Sequence, residues 1–108
     1  MSRVAILLAL ALAGCGGEPL DEHPCPPAST VTYQSFGQDF FRSYCVRCHG
    51  GPNGYSSRSF TTVEAIRGDR ERIYVNAAGP NTTMPPGPED PPESERKKLA
   101  DWLACGAP

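Results

Sequence analysis

Apolar residues fall along this chain in clusters whose spacing changes from one to the next. Residues 4–13 form an unbroken run of Val, Ala, Ile and Leu, about half the roughly 20 residues that a bilayer-spanning helix needs. Phe36, Phe40 and Tyr44 then recur at i, i+4 and i+8, with Phe41 beside them. That period predicts a helix whose apolar face runs directly into Cys45, with Ser35 and Gln38 as its capping box. Thr62 is placed to cap a short helix through Val63, Ala65 and Ile66 that stops at Gly68, and Asp69 opens another through Ile73, Tyr74 and Ala77 that stops at Gly79. Leu99, Trp102 and Leu103 mark the buried face of a last helix. Asp90 fits its N-cap, Pro91 its first position, Glu93 the far side of its capping box and Gly106 its stop. Residues 50–59 and 80–92 read as loops, the second because its prolines fix φ and remove donors. No segment alternates as a strand does, so the predicted fold is all-α.

The first apolar run changes the picture of where the chain resides. Arg3 precedes it, and Leu12-Ala13-Gly14-Cys15 closes it. This arrangement resembles a bacterial lipoprotein signal, which implies cleavage before Cys15 and a diacylglycerol on its sulfur. The plainer alternative is a secretory signal with an incidental cysteine. The expected organisation is a signal over 1–14, a flexible tether over 15–34 that is rich in Gly, Pro and acids, and a folded domain over 35–108. The expected location is the bacterial cell envelope, on the periplasmic side, held to a membrane by lipid.

A chain beginning at Cys15 has about 90 residues, enough for one small domain with little core of its own. The formal charge of the 108-residue chain is −2, and losing Arg3 makes it more negative. Nucleic acid is therefore not an expected partner, since it calls for a basic stripe.

The sharpest chemical signal is Cys45-Val46-Arg47-Cys48-His49, a CxxCH pentapeptide. Two thiols three positions apart can form thioethers to the two vinyl groups of one haem, and the histidine that follows supplies an axial nitrogen to the iron. A bare CxxC would also suit zinc or thioredoxin-like redox chemistry. One covalently attached haem c is the expected cofactor. A large apolar macrocycle would supply the core that so small a domain lacks.

The remaining cysteines follow by counting. The lipid takes Cys15 and the haem takes Cys45 and Cys48, which leaves Cys25 and Cys105. In an exported chain such a pair is expected to form a disulfide, at about 4 kcal/mol for so long a loop, with two free thiols as the alternative.

A six-coordinate iron needs a second axial ligand opposite His49. Met84 is the candidate, because it is the one Met left after Met1 goes with the signal, and Pro85-Pro86 stiffen the backbone beside it. A neutral thioether raises the potential relative to a second histidine. The bland reading of Met84 is a gap-filling core residue. His23, between Glu22 and Pro24, reads as a solvated tether histidine.

With Cys45, Cys48, His49 and Gly50, the Met84-Pro85 loop and a final helix carrying Trp102, the chain resembles a small mono-haem class I cytochrome c over about residues 35–106. The resemblance implies a small helical domain wrapped around the haem, N- and C-terminal helices that cross, and a haem edge exposed for electron exchange. It also implies a proline about a dozen residues after the haem histidine whose carbonyl orients the imidazole. Thr61 stands near that position here, so another loop carbonyl has to accept the Nδ1 proton. Arg58, Arg70, Arg72 and Tyr74 are candidates to meet the haem propionates.

The expected function is single-electron transfer between membrane-associated redox partner proteins, by a carrier and not an enzyme. The alternative is a haem-based gas or redox sensor, or a small haem enzyme, with a displaceable sixth ligand. A thiol-disulfide oxidoreductase built on Cys45 and Cys48 would call for a βαβ framework that the sequence lacks. A zinc site would lack an obvious fourth ligand.

Overall fold

The computed structural model describes residues 17–50 and 58–108. The apolar run, Arg3 and Cys15 lie outside the described residues, and so does most of the glycine-rich loop after His49. Among the described residues the regular structure is entirely helical: a 3₁₀ turn at Leu20–Glu22, a π-helical turn at Tyr33–Gly37 that leads into α1 (Gln38–Tyr44), then α2 (Val63–Gly68), α3 (Arg70–Ala77) and α4 (Glu93–Ala104).

The cap of the first helix lies earlier than the sequence pattern predicts. Thr32 and Ser35 form the reciprocal box, with Thr32 Oγ1 accepting from the Ser35 N–H at 3.0 Å and Ser35 Oγ accepting from the Thr32 N–H at 2.9 Å. Starting at Thr32 places Phe40 and Phe41 both in the core, while Phe36 and Tyr44 are only half-buried. Phe41 then meets Trp102 of α4 edge-on at 6.2 Å and Phe60 at 5.8 Å. Thr62 caps α2 by accepting from the Ala65 N–H at 3.2 Å. Asp69 and Asp90 precede α3 and α4 but cap neither with their side chains. Each carboxylate is engaged by an arginine instead, Asp69 by Arg58 and Asp90 by Arg96.

The last helix carries the centre of the core. Leu99, Trp102 and Leu103 are fully buried together with Ile66 of α2 and Tyr74 of α3. The first helical segment reaches Trp102 at Gly37. A Cβ there would lie 2.8 Å from two carbons of the indole ring, closer than real Cβ contacts allow, so the crossing depends on glycine. Gly37→Ala is expected to lower stability by about 1–3 kcal/mol through overpacking, read as a drop in the denaturant midpoint with an unchanged slope.

Residues 17–34 are not a free tether. Leu20 is buried, and the Glu18 backbone exchanges two hydrogen bonds with the Asn81 side chain, its N–H donating at 2.8 Å and its carbonyl accepting at 2.9 Å. Tyr74 donates its hydroxyl to Glu18. His23 is likewise no solvated side chain: its Nε2 lies 2.7 Å from Asp101 Oδ1, with Tyr74 close by. Cys25 and Cys105 are joined by a disulfide, their Cα atoms 4.7 Å apart. These partners sit far along the chain from the segment, which is why local composition shows no sign of the docking.

Burial, and then the nearby Glu18 carboxylate, push the Tyr74 phenol up to about 12. The fold therefore prefers the neutral phenol. Its contribution is complete below the ordinary value of 10.0 and is lost as pH rises from there towards about 12. Denaturant midpoints measured at the two ends of that window are expected to fall less for Tyr74→Phe than for the parent protein.

Candidate functional site

α1 delivers the CxxCH segment as its own continuation. The Cys45 and Val46 amides both donate to the Phe41 carbonyl, and the Cys48 and His49 amides donate to the Cys45 carbonyl at 3.3 and 3.0 Å. This tight winding sets Cys45, Cys48 and His49 on one wall of a mostly apolar cleft of about 480 Å³, within the roughly 300–1,000 Å³ range of small-molecule and cofactor sites. Phe41, Phe60 and Ile73 supply apolar lining, and Met84, Pro85 and Pro86 of the proline-rich loop border the same cleft.

The carbonyl that orients His49 belongs to Arg58. It lies 3.0 Å from His49 Nδ1. Since a carbonyl can only accept, Nδ1 carries the proton and Nε2 keeps its lone pair for a metal. The Phe60 N–H donates to the His49 carbonyl at 2.9 Å, and the Phe60 ring lies 4.7 Å from the imidazole. Arg58 is fixed in turn by Asp69, whose two carboxylate oxygens accept from Nη1 at 2.9 and 2.7 Å. A chain of contacts thus runs from the imidazole to the start of α3.

Met84 is held by its backbone and presented by its side chain. Its N–H donates to the Asn76 carbonyl at 2.7 Å, and its carbonyl accepts from Arg96 Nη1 at 2.8 Å. The residue is nevertheless 42% exposed. At the cleft mouth Arg47, inside the CxxCH segment, pairs with Glu89 of the Met84 loop through two contacts of 2.8 and 3.3 Å. Both side chains are solvated, so the pair is worth at most about 1 kcal/mol.

Of the propionate candidates, Arg58 and Arg72 line the cleft, whereas Arg70 and Tyr74 do not. The Tyr74 hydroxyl turns to Glu18. Arg70 instead lines a separate polar groove beside Pro19–Asp21. Sequence reasoning missed Asp69 as the anchor of Arg58, and it missed Arg96 and Asn81 altogether. A charged residue on the buried face of the last helix was the one available signal, and only for Arg96.

The donor set fits a haem. Cys45 and Cys48 are unpaired thiols, the imidazole presents Nε2, and a thioether shares the cleft with them. Burial pushes the Cys45 thiol up to about 12, against a smaller opposing effect of Arg96. A redox-active CxxC works through a lowered thiol pKa, the opposite direction from that of Cys45.

Residues 34–103 match the model of the family described as cytochrome C oxidase, cbb3-type, subunit III. No curated protein and no solved structure shows a significant match.

Proposed function

The chain belongs to the cbb3-type cytochrome c oxidase subunit III family over residues 34–103, which makes it a small c-type cytochrome, and from that membership we propose that it is an exported mono-haem carrier of single electrons between membrane-associated redox partners. The cytochrome c domain suggests haem-based electron transfer, and in this reading the protein is a carrier and not an enzyme. Cys45 and Cys48 would then hold one haem c through thioethers, and His49 Nε2 and the Met84 sulfur would ligate its iron. When bound, the haem supplies a one-electron ferric/ferrous couple. Arg58 fixes the imidazole tautomer through its carbonyl. Phe41, Phe60 and Ile73 keep water from the cleft, and the neutral thioether biases the couple towards the reduced state. A lipid on Cys15 tethers the carrier at a membrane on the periplasmic side of a bacterial envelope, where its partner proteins meet it.

The observation that carries this reading is the arrival at one apolar cleft of the CxxCH segment, with its histidine already oriented, and of Met84 on a backbone pinned on both sides. The test is an absorption spectrum in both oxidation states, on protein made with a c-type haem maturation system. A low-spin ferrous c-type spectrum, together with the weak far-red ferric band of iron–methionine sulfur, is the expected result. A high-spin spectrum with tight carbon monoxide binding would replace the carrier by a sensor or enzyme with an open iron.

A further inference from the structure

We propose that Arg96 is a positioning residue for the sixth iron ligand: its buried guanidinium holds the loop that carries Met84 and so sets how firmly the thioether stays on the iron. The proposal rests on the reading above, in which the Met84 sulfur is a ligand.

Arg96 lies in α4 and is 3% exposed. Nη1 donates to the carbonyls of Ala77 at 2.8 Å, Asn81 at 3.2 Å and Met84 at 2.8 Å, and Nη2 donates to Asp90 Oδ1 at 2.7 Å. Its own carbonyl accepts from the Gly79 N–H at 2.8 Å. All of these contacts go to the chain between the end of α3 and the start of α4, the stretch that contains Met84.

Burying a guanidinium costs several kcal/mol unless its donors are satisfied, and an apolar side chain would fill the same space without that cost. The compensation here is specific. The loop over residues 80–92 is rich in proline, so it has few N–H groups with which to satisfy its own carbonyls. Arg96 supplies the missing donors from one rigid plane. A lysine carries a single ammonium and cannot span the same set. With the Asn76 carbonyl holding the Met84 N–H and Arg96 holding the Met84 carbonyl, both peptide groups of the residue are fixed. The side chain, by contrast, stays exposed to the cleft. Fixing the backbone in advance lowers the entropy cost of keeping a flexible thioether on the metal.

The experiment uses the haem-loaded protein and the variants Arg96→Met, Arg96→Lys and Asp90→Asn. Two quantities are read well below the melting temperature: the far-red ferric band, and the affinity of ferric protein for imidazole, which must displace Met84 to bind. Arg96→Met is expected to weaken the band and to bind imidazole at least about tenfold more tightly, the equivalent of about 1.4 kcal/mol. Arg96→Lys is expected to fall between it and the parent, and Asp90→Asn to move the same way by a smaller amount. Gly37→Ala, which overpacks the core against Trp102 away from this loop, serves as the control for general destabilisation and is expected to leave imidazole affinity unchanged. The Asp90 carboxylate is 79% exposed, so Asp90→Asn decides the matter if neither Arg96 variant folds. Parent-like bands and affinities in the folded variants would overturn the proposal, and so would an equal response from Gly37→Ala. A parent protein without the band would instead remove Met84 as a ligand, and this proposal with it.

Discussion

Replacing Cys45 and Cys48 together by serine is expected to abolish covalent haem incorporation: no haem stain remains on a denaturing gel, and the fold is strongly destabilised. Serine hydroxyls occupy the same positions but do not form thioethers with haem vinyl groups. The energetic consequence follows from the cleft. Its apolar walls, among them Phe41, Phe60 and Ile73, lose their main packing partner, and a ligand that binds only the folded state ceases to stabilise it. For a ligand held at 100 times its dissociation constant or more, that loss is about 3 kcal/mol or greater. A domain this small has little reserve to absorb it. Either single serine variant retains one thioether and is expected to keep haem at reduced yield. A double variant that still stains for haem would place the attachment elsewhere and sink the assignment of the CxxCH segment.

Met84→Ala is expected to leave attachment intact and to change the iron. The far-red ferric band disappears, the spectrum turns high-spin, and the reduced protein binds carbon monoxide tightly. The potential is expected to fall by on the order of 0.1–0.2 V, within the roughly 0.8 V span that axial ligands command. The physical cause is the loss of a neutral sulfur that favours ferrous iron. The variant is expected to remain folded, because Met84 is 42% exposed and its backbone contacts to Asn76 and Arg96 do not involve its side chain. Spectrum and potential unchanged from the parent would show that the sixth ligand lies elsewhere. His23 is a poor substitute, since its Nε2 is already engaged by Asp101 on the far end of α4.

The two predictions differ in how much of their basis is visible in the one-dimensional chain. The role proposed for Cys45, Cys48 and His49 can be read from the chain because the chemistry needs only residues adjacent in sequence, which one turn of backbone brings together. The helices are legible for a similar reason. Apolar residues at helical spacing with nearby caps determine a local structure, and Thr62 before α2 behaves accordingly. The first helix shows the limit of that method. Ser35 is part of its capping box, but as the partner of Thr32, three residues earlier than the pattern suggests.

Asp69 and Asp90 show why local capping rules fail at a site. Both stand where a cap is expected from the sequence, but Asp69 turns its carboxylate to Arg58, and Asp90 lies two residues before the N-cap Pro92 and turns to Arg96. The segment before α1 shows a different failure. Its Gly, Pro and acidic composition has no period, yet Glu18 bonds Asn81 across 63 positions and His23 bonds Asp101 across 78.

The sequence by itself determined the helical class, the place and order of the main helices, and the CxxCH segment as the place where covalent haem chemistry is expected. Each of these depends on residues close together in the chain, where spacing alone sets geometry. Only the tertiary structure decided that Arg58 offers the carbonyl that orients His49, that Arg96 gathers the loop bearing Met84, and that the N-terminal segment, beyond its expected disulfide, docks through Glu18 and His23. Those are pairings between backbone groups and side chains far apart in sequence. A carbonyl has no residue-specific signature, and which one a donor reaches is settled only when the core closes around Trp102 and brings the two together.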